Sequence, residues 1–306
     1  MPGVLTGFTV IAAVIGVGYL LGRLGVLGRE ATVVLSRVAF FVATPALLFG
    51  TVARADLRTV VSSALVVTVV ATTVVAAVFV LVARLVWRRP AAETTIGALA
   101  SSYVNAANIG IPVAVYVLGD ASFIAPVLMF QLVVMAPIAF AVLDTATRGR
   151  RSLAGAVAQP LANPITVACV LGLAVNLTGW FPPEPVLRPV ELVAAMAVPA
   201  ALLAYGLSLH GAPRPGSGDT RRDVWLAVAL KAVVQPAVAY LVARFALGLP
   251  DPVVLACTVT AALPTAQNVF VHAVRYDRGV VLARDAVLLS TVAAVPVLIG
   301  VAVLGS

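Results

Sequence analysis

The chain has 306 residues, 62% hydrophobic and 10% charged, with a mean hydropathy of +1.10 and a formal charge of +8. That composition excludes an ordinary soluble domain and indicates an integral membrane protein. The arginines fall between apolar runs, so the positive excess reads as a topology signal, and no nucleic-acid partner is expected.

Most apolar runs approach the roughly 20 residues a helix needs to cross the hydrocarbon core. The short alternating segments of a membrane barrel are missing, so the fold class is all-α. Ten spans are expected, at roughly 4–22, 34–53, 60–86, 94–118, 122–144, 164–180, 190–210, 223–247, 252–275 and 281–304. The first run has no basic leader region and no evident cleavage site, so it reads as a span. Cys169 and Cys257 both lie inside spans, which argues against a disulfide framework or a metal site. Fifteen arginines occupy the odd-numbered connections and four, Arg54, Arg58, Arg188 and Arg244, the even-numbered ones. The bias places both termini outside the cytoplasm in a multi-pass protein of the inner (plasma) membrane.

The fourth span departs from plain hydrocarbon. ASSYVNAANIGIPVAVYVLGD, from Ala100 to Asp120, gathers serines and asparagines and then sets Gly110 and Pro112 inside the run. Proline lacks an amide hydrogen and clashes with the preceding turn, so a break just before Pro112 is expected. Gln131, in the fifth span, either lines a cavity or bonds a neighbouring helix. The eighth span carries Lys231, the only lysine, about 8 residues or about 12 Å from the span edge. It either snorkels to the interface, offers a counter-charge to an anion, or is tied to a carbonyl at a helix break. The ninth span, AALPTAQNVFV, repeats the ingredients of the fourth around Pro264. His210 and His272 are expected in packing roles near the cytoplasmic surface.

Five spans per half make any internal repeat inverted. ATPALLFG around Pro45 resembles AVPAALLAYG around Pro199, VVMAPIAFAVL around Pro137 resembles VAAVPVLIGVAVL around Pro296, and the fourth and ninth spans match through Pro112 and Pro264. The division is residues 1–145, a cytoplasmic linker at 146–163, and residues 164–306. Two broken spans in corresponding positions of two halves point to a binding site at their interface. Each restart presents a helix N-terminus with unpartnered amide hydrogens and partial positive charge, a natural seat for an anion. Asn108 and Asn268 are favoured as site residues there, with Asn105 and Gln267 either in the site or stitching helices together. All twelve carboxylates lie in loops or at span edges. An intramembrane enzyme or sensor is the alternative class, but no nucleophile or acid pair sits at mid-depth. No catalytic residue, metal or cofactor is expected.

NIGIP with the following VAVYVLG, LPTAQNVFVHAVRYDRG from Leu263 to Gly279, ALKAVVQPAVAYL and NPITVACVLGLAVN together resemble the auxin efflux carrier family. That family includes bacterial permeases of malate and malonate and the plant PIN-FORMED carriers. The resemblance implies two inverted five-helix repeats, similar to bile acid and sodium symporters, with helices four and nine crossing at their breaks. It implies scaffold helices at about 4–53 and 164–210, transport helices at about 60–144 and 223–304, and an elevator-type movement between them. It also implies a substrate carboxylate held beside Asn108, Pro112, Pro264 and Asn268. The long cytoplasmic domain of the plant carriers is missing, and no acidic residue is placed to hold sodium. The expected function is secondary transport of a small organic anion, with membrane lipid around the chain and the scaffold helices as the surface for any homodimer.

Overall fold

The computed structural model describes residues 2–28, 30–54, 62–110, 113–114, 118, 121–148 and 164–304; Pro112 and linker residues 149–163 lie outside them. The regular elements among the described residues are all helical, and one isolated antiparallel bridge joins Val104 and Thr265. In chain order the helices are α1 (Pro2–Arg23), α2 (Ala31–Ala53), α3 (Ser63–Val86), α4 (Ala91–Ser102), a short wide turn α5 (Ala106–Gly110) and α6 (Ala125–Thr147). They continue with α7 (Pro164–Thr178), α8 (Glu184–Leu209), α9 (Gly218–Ala246), α10 (Asp251–Ala262), α11 (Asn268–Tyr276) and α12 (Val280–Leu304). Among the described residues six, α2, α3, α6, α8, α9 and α12, are long and apolar enough to cross a membrane, and α1, α7 and α10 contribute shorter apolar stretches.

Packing sorts these helices. α1 and α2 lie against α8, and α2 against α7. α3, α4, α9, α10 and α12 pack on one another, with α6 on α4. Within the first group small residues set the distance. A Cβ on Gly206 of α8 would stand 2.1 Å from the Ile15 carbonyl of α1, and one on Gly18 would stand 2.6 Å from the Leu203 carbonyl. Close backbone approach of this kind drives helix association where lipid is as apolar as the side chains.

A step of 160 residues relates two stretches of local structure. α3 and α9 both end in a widened turn, closed by Trp87 N–H to Val82 O at 3.1 Å and by Leu247 N–H to Val242 O at 3.0 Å. Arg88 and Gly248 then share a left-handed backbone, φ 54° and 57°. Pro90 and Pro250 cap α4 and α10, which are 12 residues each. The same step takes Val104 to Pro264 and Asn108 to Asn268. The match through Pro112 expected from sequence is thus eight residues out of register, because α4 ends well before that proline.

Two local causes end these helices. Ser101 and Ser102 turn their hydroxyls back onto Ala98 O, at 2.9 and 2.6 Å, competing for the ladder of α4. In α10, Pro264 offers no amide, and Leu263 before it is extended, φ −57° and ψ 145°.

A crossing of two interrupted helices

The two interruptions meet. Asn105 N–H donates to Pro264 O at 2.7 Å and Ala266 N–H to Tyr103 O at 3.0 Å, so two extended strands of three or four residues pair where α4 and α10 stop. The remaining polar groups on the chain's two breaks are taken up from several directions. Thr265 Oγ1 donates to Ala100 O at 2.6 Å, and its own N–H is accepted by Ser290 Oγ of α12 at 3.1 Å. Gln131 Nε2 reaches Val104 O at 3.0 Å from α6, and Gln235 Nε2 reaches Ser102 O at 3.1 Å from α9. Satisfying each freed carbonyl from a neighbouring helix is what allows irregular backbone inside an apolar bundle.

The sequence-predicted residues divide into two sets. Asn105, Gln131, Lys231 and Gln267 are all buried, at 2% exposure or less. Asn105 Nδ2 donates to Gln267 Oε1 at 2.7 Å, and Asn105 Oδ1 accepts the Asn108 N–H at 3.3 Å. Lys231 Nζ donates to Gln235 Oε1 at 2.7 Å and to Ala261 O at 2.8 Å. Of the three roles open to this lysine in the sequence, the geometry has it tied to a carbonyl at a helix break.

Asn108 and Asn268 behave differently. Both are half-buried, and Ala107 beside Asn108 is exposed, although the surrounding crossing is closed. Their side chains carry no hydrogen bond among the described residues. Ala107 N–H at the start of α5, and Gln267 and Asn268 N–H at the start of α11, have no backbone partner there either. One further donor is orphaned: Gln267 Nε2 is buried without a partner. Among the described residues the open side of the crossing therefore offers amide hydrogens and carboxamides and no carboxylate. Pro264 is buried beneath it, while Pro112 lies outside the described residues.

His272 is in a packing role. It is 4% exposed and stands edge-on to Phe140 and Phe40, ring centroids 4.8 and 5.7 Å away. His210 packs against Tyr19 at 5.8 Å, a packing contact as expected. Gln235, Thr265 and Ser290 were not singled out as site residues in the sequence. Thr265 sits inside the PTAQN run and could have been, whereas a threonine or serine in an apolar helix is too common to signal anything by itself.

Membrane helices crossing at two mutually paired breaks, with an electropositive open side, are the setting in which the family comparison is informative. The model of the membrane transport protein family matches residues 5–301. The chain belongs to that family, the auxin efflux carriers. It is also similar to a protein of Rhizobium meliloti (strain 1021) named "Putative malonate transporter", 29% identical over 291 residues that cover 92% of this chain and 90% of the relative. As a member of the family it is a multi-pass membrane transport protein with a small-molecule substrate.

Proposed function

We propose that this auxin efflux carrier family member moves a small organic anion, a carboxylate of the malonate class, across the plasma membrane by alternating access. The observation that carries the reading is the open side of the crossing. Two helix starts converge there with amides beside Asn108 and Asn268 that have no partner among the described residues, and no described carboxylate competes for them. Helix N-termini and neutral amides hold an anion without burying a compensating side-chain charge for each contact. Asn105, Gln267, Lys231 and Gln131 support that seat from behind, and the orphan Gln267 Nε2 is the buried donor nearest in sequence to it.

The packing supports ten spans in two inverted five-helix repeats, residues 1–145 and 164–306, on a bile acid symporter-like plan. The 160-residue step supports the repeat. Ion pairs support its inversion: Arg89–Asp223 and Arg278–Glu93 join odd-numbered connections, while Arg54–Glu191 joins two even-numbered ones. No pair among the described residues mixes the two, as expected if they lie on opposite faces. With the arginine-rich odd face inside, both termini lie outside the cytoplasm. α1, α2, α7 and α8 form the scaffold, and α3 to α6 with α9 to α12 the moving part, which matches an elevator-type exchange. The scaffold also supplies the face for a homodimer. The family and its relative are transporters, which points away from an intramembrane enzyme.

Counterflow of labelled malonate in proteoliposomes tests the reading. Exchange is expected, and Asn108→Ala or Asn268→Ala should raise the half-saturating concentration about 10- to 150-fold, the worth of one hydrogen bond to a charged group. Thermal stability of both variants should stay at the wild-type value, since neither side chain has a partner to lose. Failure to exchange malonate, malate or indole acetate would end the proposal.

A further inference from the structure

The helix starts at the crossing have a counterpart that the anion does not use: the helix ends. α4 and α10 both stop there, and the terminal carbonyls Ser102 O and Ala261 O are joined through Gln235 and Lys231. Each helix C-terminus carries about half a negative elementary charge, so two together amount to about one. Against them stands Lys231, 1% exposed. Its contacts are Ala261 O, at the end of α10, and Gln235 Oε1; no carboxylate among the described residues bonds it. Gln235 passes the link on, its Nε2 donating to Ser102 O, the last residue of α4, and to Thr72 Oγ1 of α3 at 3.4 Å. One ammonium thus touches one helix end directly and the other through a single carboxamide. A buried cation without a paired anion is costly, and the two helix-end dipoles are what offsets it.

We propose that Lys231 is a built-in cation: its ammonium, relayed by Gln235, neutralises the two broken-helix C-termini and fills a place that a mobile monovalent cation would otherwise have to occupy. The anion seat at the crossing is then assembled without sodium or potassium. Removing the side chain leaves a gap edged by Ala261 O and Gln235 Oε1, oxygen ligands that suit a small hard cation. Lys231 is in this sense a positioning residue that touches no substrate. The inference goes beyond the carrier reading.

The test uses full-length protein in detergent and follows thermal unfolding in choline, sodium, potassium and ethylammonium chloride at equal ionic strength. Wild-type protein and Lys231→Arg are expected to melt at the same temperature in all four, within about 1 °C. Lys231→Ala should melt several degrees lower in choline and recover more than half of the loss, saturably, in sodium or ethylammonium. A merely space-filling lysine would give a loss that no cation restores, and that result overturns the proposal. So does a Lys231→Ala protein as stable as wild type in choline, or a wild-type protein that gains stability specifically with sodium or potassium. Should Lys231→Ala not survive purification, Lys231→Gln in the same four salts, together with the wild-type series, decides. The readout needs no substrate, so loss of this inference is distinguishable from a failure of malonate exchange.

Discussion

Replacing Asn105 and Gln267 singly and together tests whether the crossing is held by the contact that bridges its two breaks. The side chains are 2% and 1% exposed and joined by a 2.7 Å hydrogen bond. Asn105→Ala removes that bond and the acceptor for Asn108 N–H. It leaves the Gln267 carboxamide without a partner at either end, because its Nε2 already has none. A lost bond of about 1 kcal/mol plus an orphaned buried group at about 1–3 kcal/mol gives a single-variant loss of about 2–4 kcal/mol. Gln267→Ala strands only Asn105 Nδ2, so it should cost less, about 2 kcal/mol. In the double variant neither amide remains to be stranded, and the losses should not add. Hydrogen bonds between membrane helices average about 0.6 kcal/mol and reach about 1.7 in such cycles; with both partners fully buried, a coupling near 1.5 kcal/mol is expected. Reversible unfolding in mixed micelles measures all four proteins, and each kcal/mol should move the melting temperature by about 2–4 °C. Additivity within about 0.3 kcal/mol would refute the bridge as an energetic unit.

Thr265→Val keeps shape but strands Ala100 O and should cost about 1–2 kcal/mol in the same assay; an unchanged melting point would remove this hydroxyl from the crossing. Gly206→Ala forces α8 off α1, since its Cβ would stand 2.1 Å from Ile15 O, and a loss of about 1–3 kcal/mol is expected. Gly16→Ala, with no atom within 4 Å of the added carbon, is the matched control and should be neutral or slightly stabilising; equal losses in the two would show that helix approach is not the cause. Arg88 holds a left-handed backbone that its counterpart Gly248 adopts freely, so Arg88→Gly should stabilise by about 0.5–1 kcal/mol. A lower melting point for that variant would mean that the arginine side chain matters more than the strain.

Membrane insertion, the all-helical class and the identity of the two interrupted stretches were legible in the sequence because each rests on a local property. Hydropathy runs report burial in lipid, and the proline at 264 stops a helix wherever it lies. The break expected just before Pro112 lies outside the described residues, and the interruption among them comes earlier. Local rules see the proline, but α4 ends at Ser102, where the helix terminus is stabilised by Thr265, Gln235 and Gln131 from three other elements. Local rules likewise give His272 a packing role without its partners, two phenylalanines contributed by α2 and α6.

What the amino-acid order determined by itself was therefore everything that depends on one helix at a time: which segments are apolar, where arginines gather, and that Asn108 and Asn268 sit near helix restarts. What only the tertiary structure decided was which polar groups face each other. Asn105, Gln267, Gln131 and Lys231 are as polar as Asn108 and Asn268, and no periodicity separates them. Their partners come from residues 27 to 162 positions away, so whether an amide is spent on the protein's own backbone or left open to a ligand is settled only when distant helices pack.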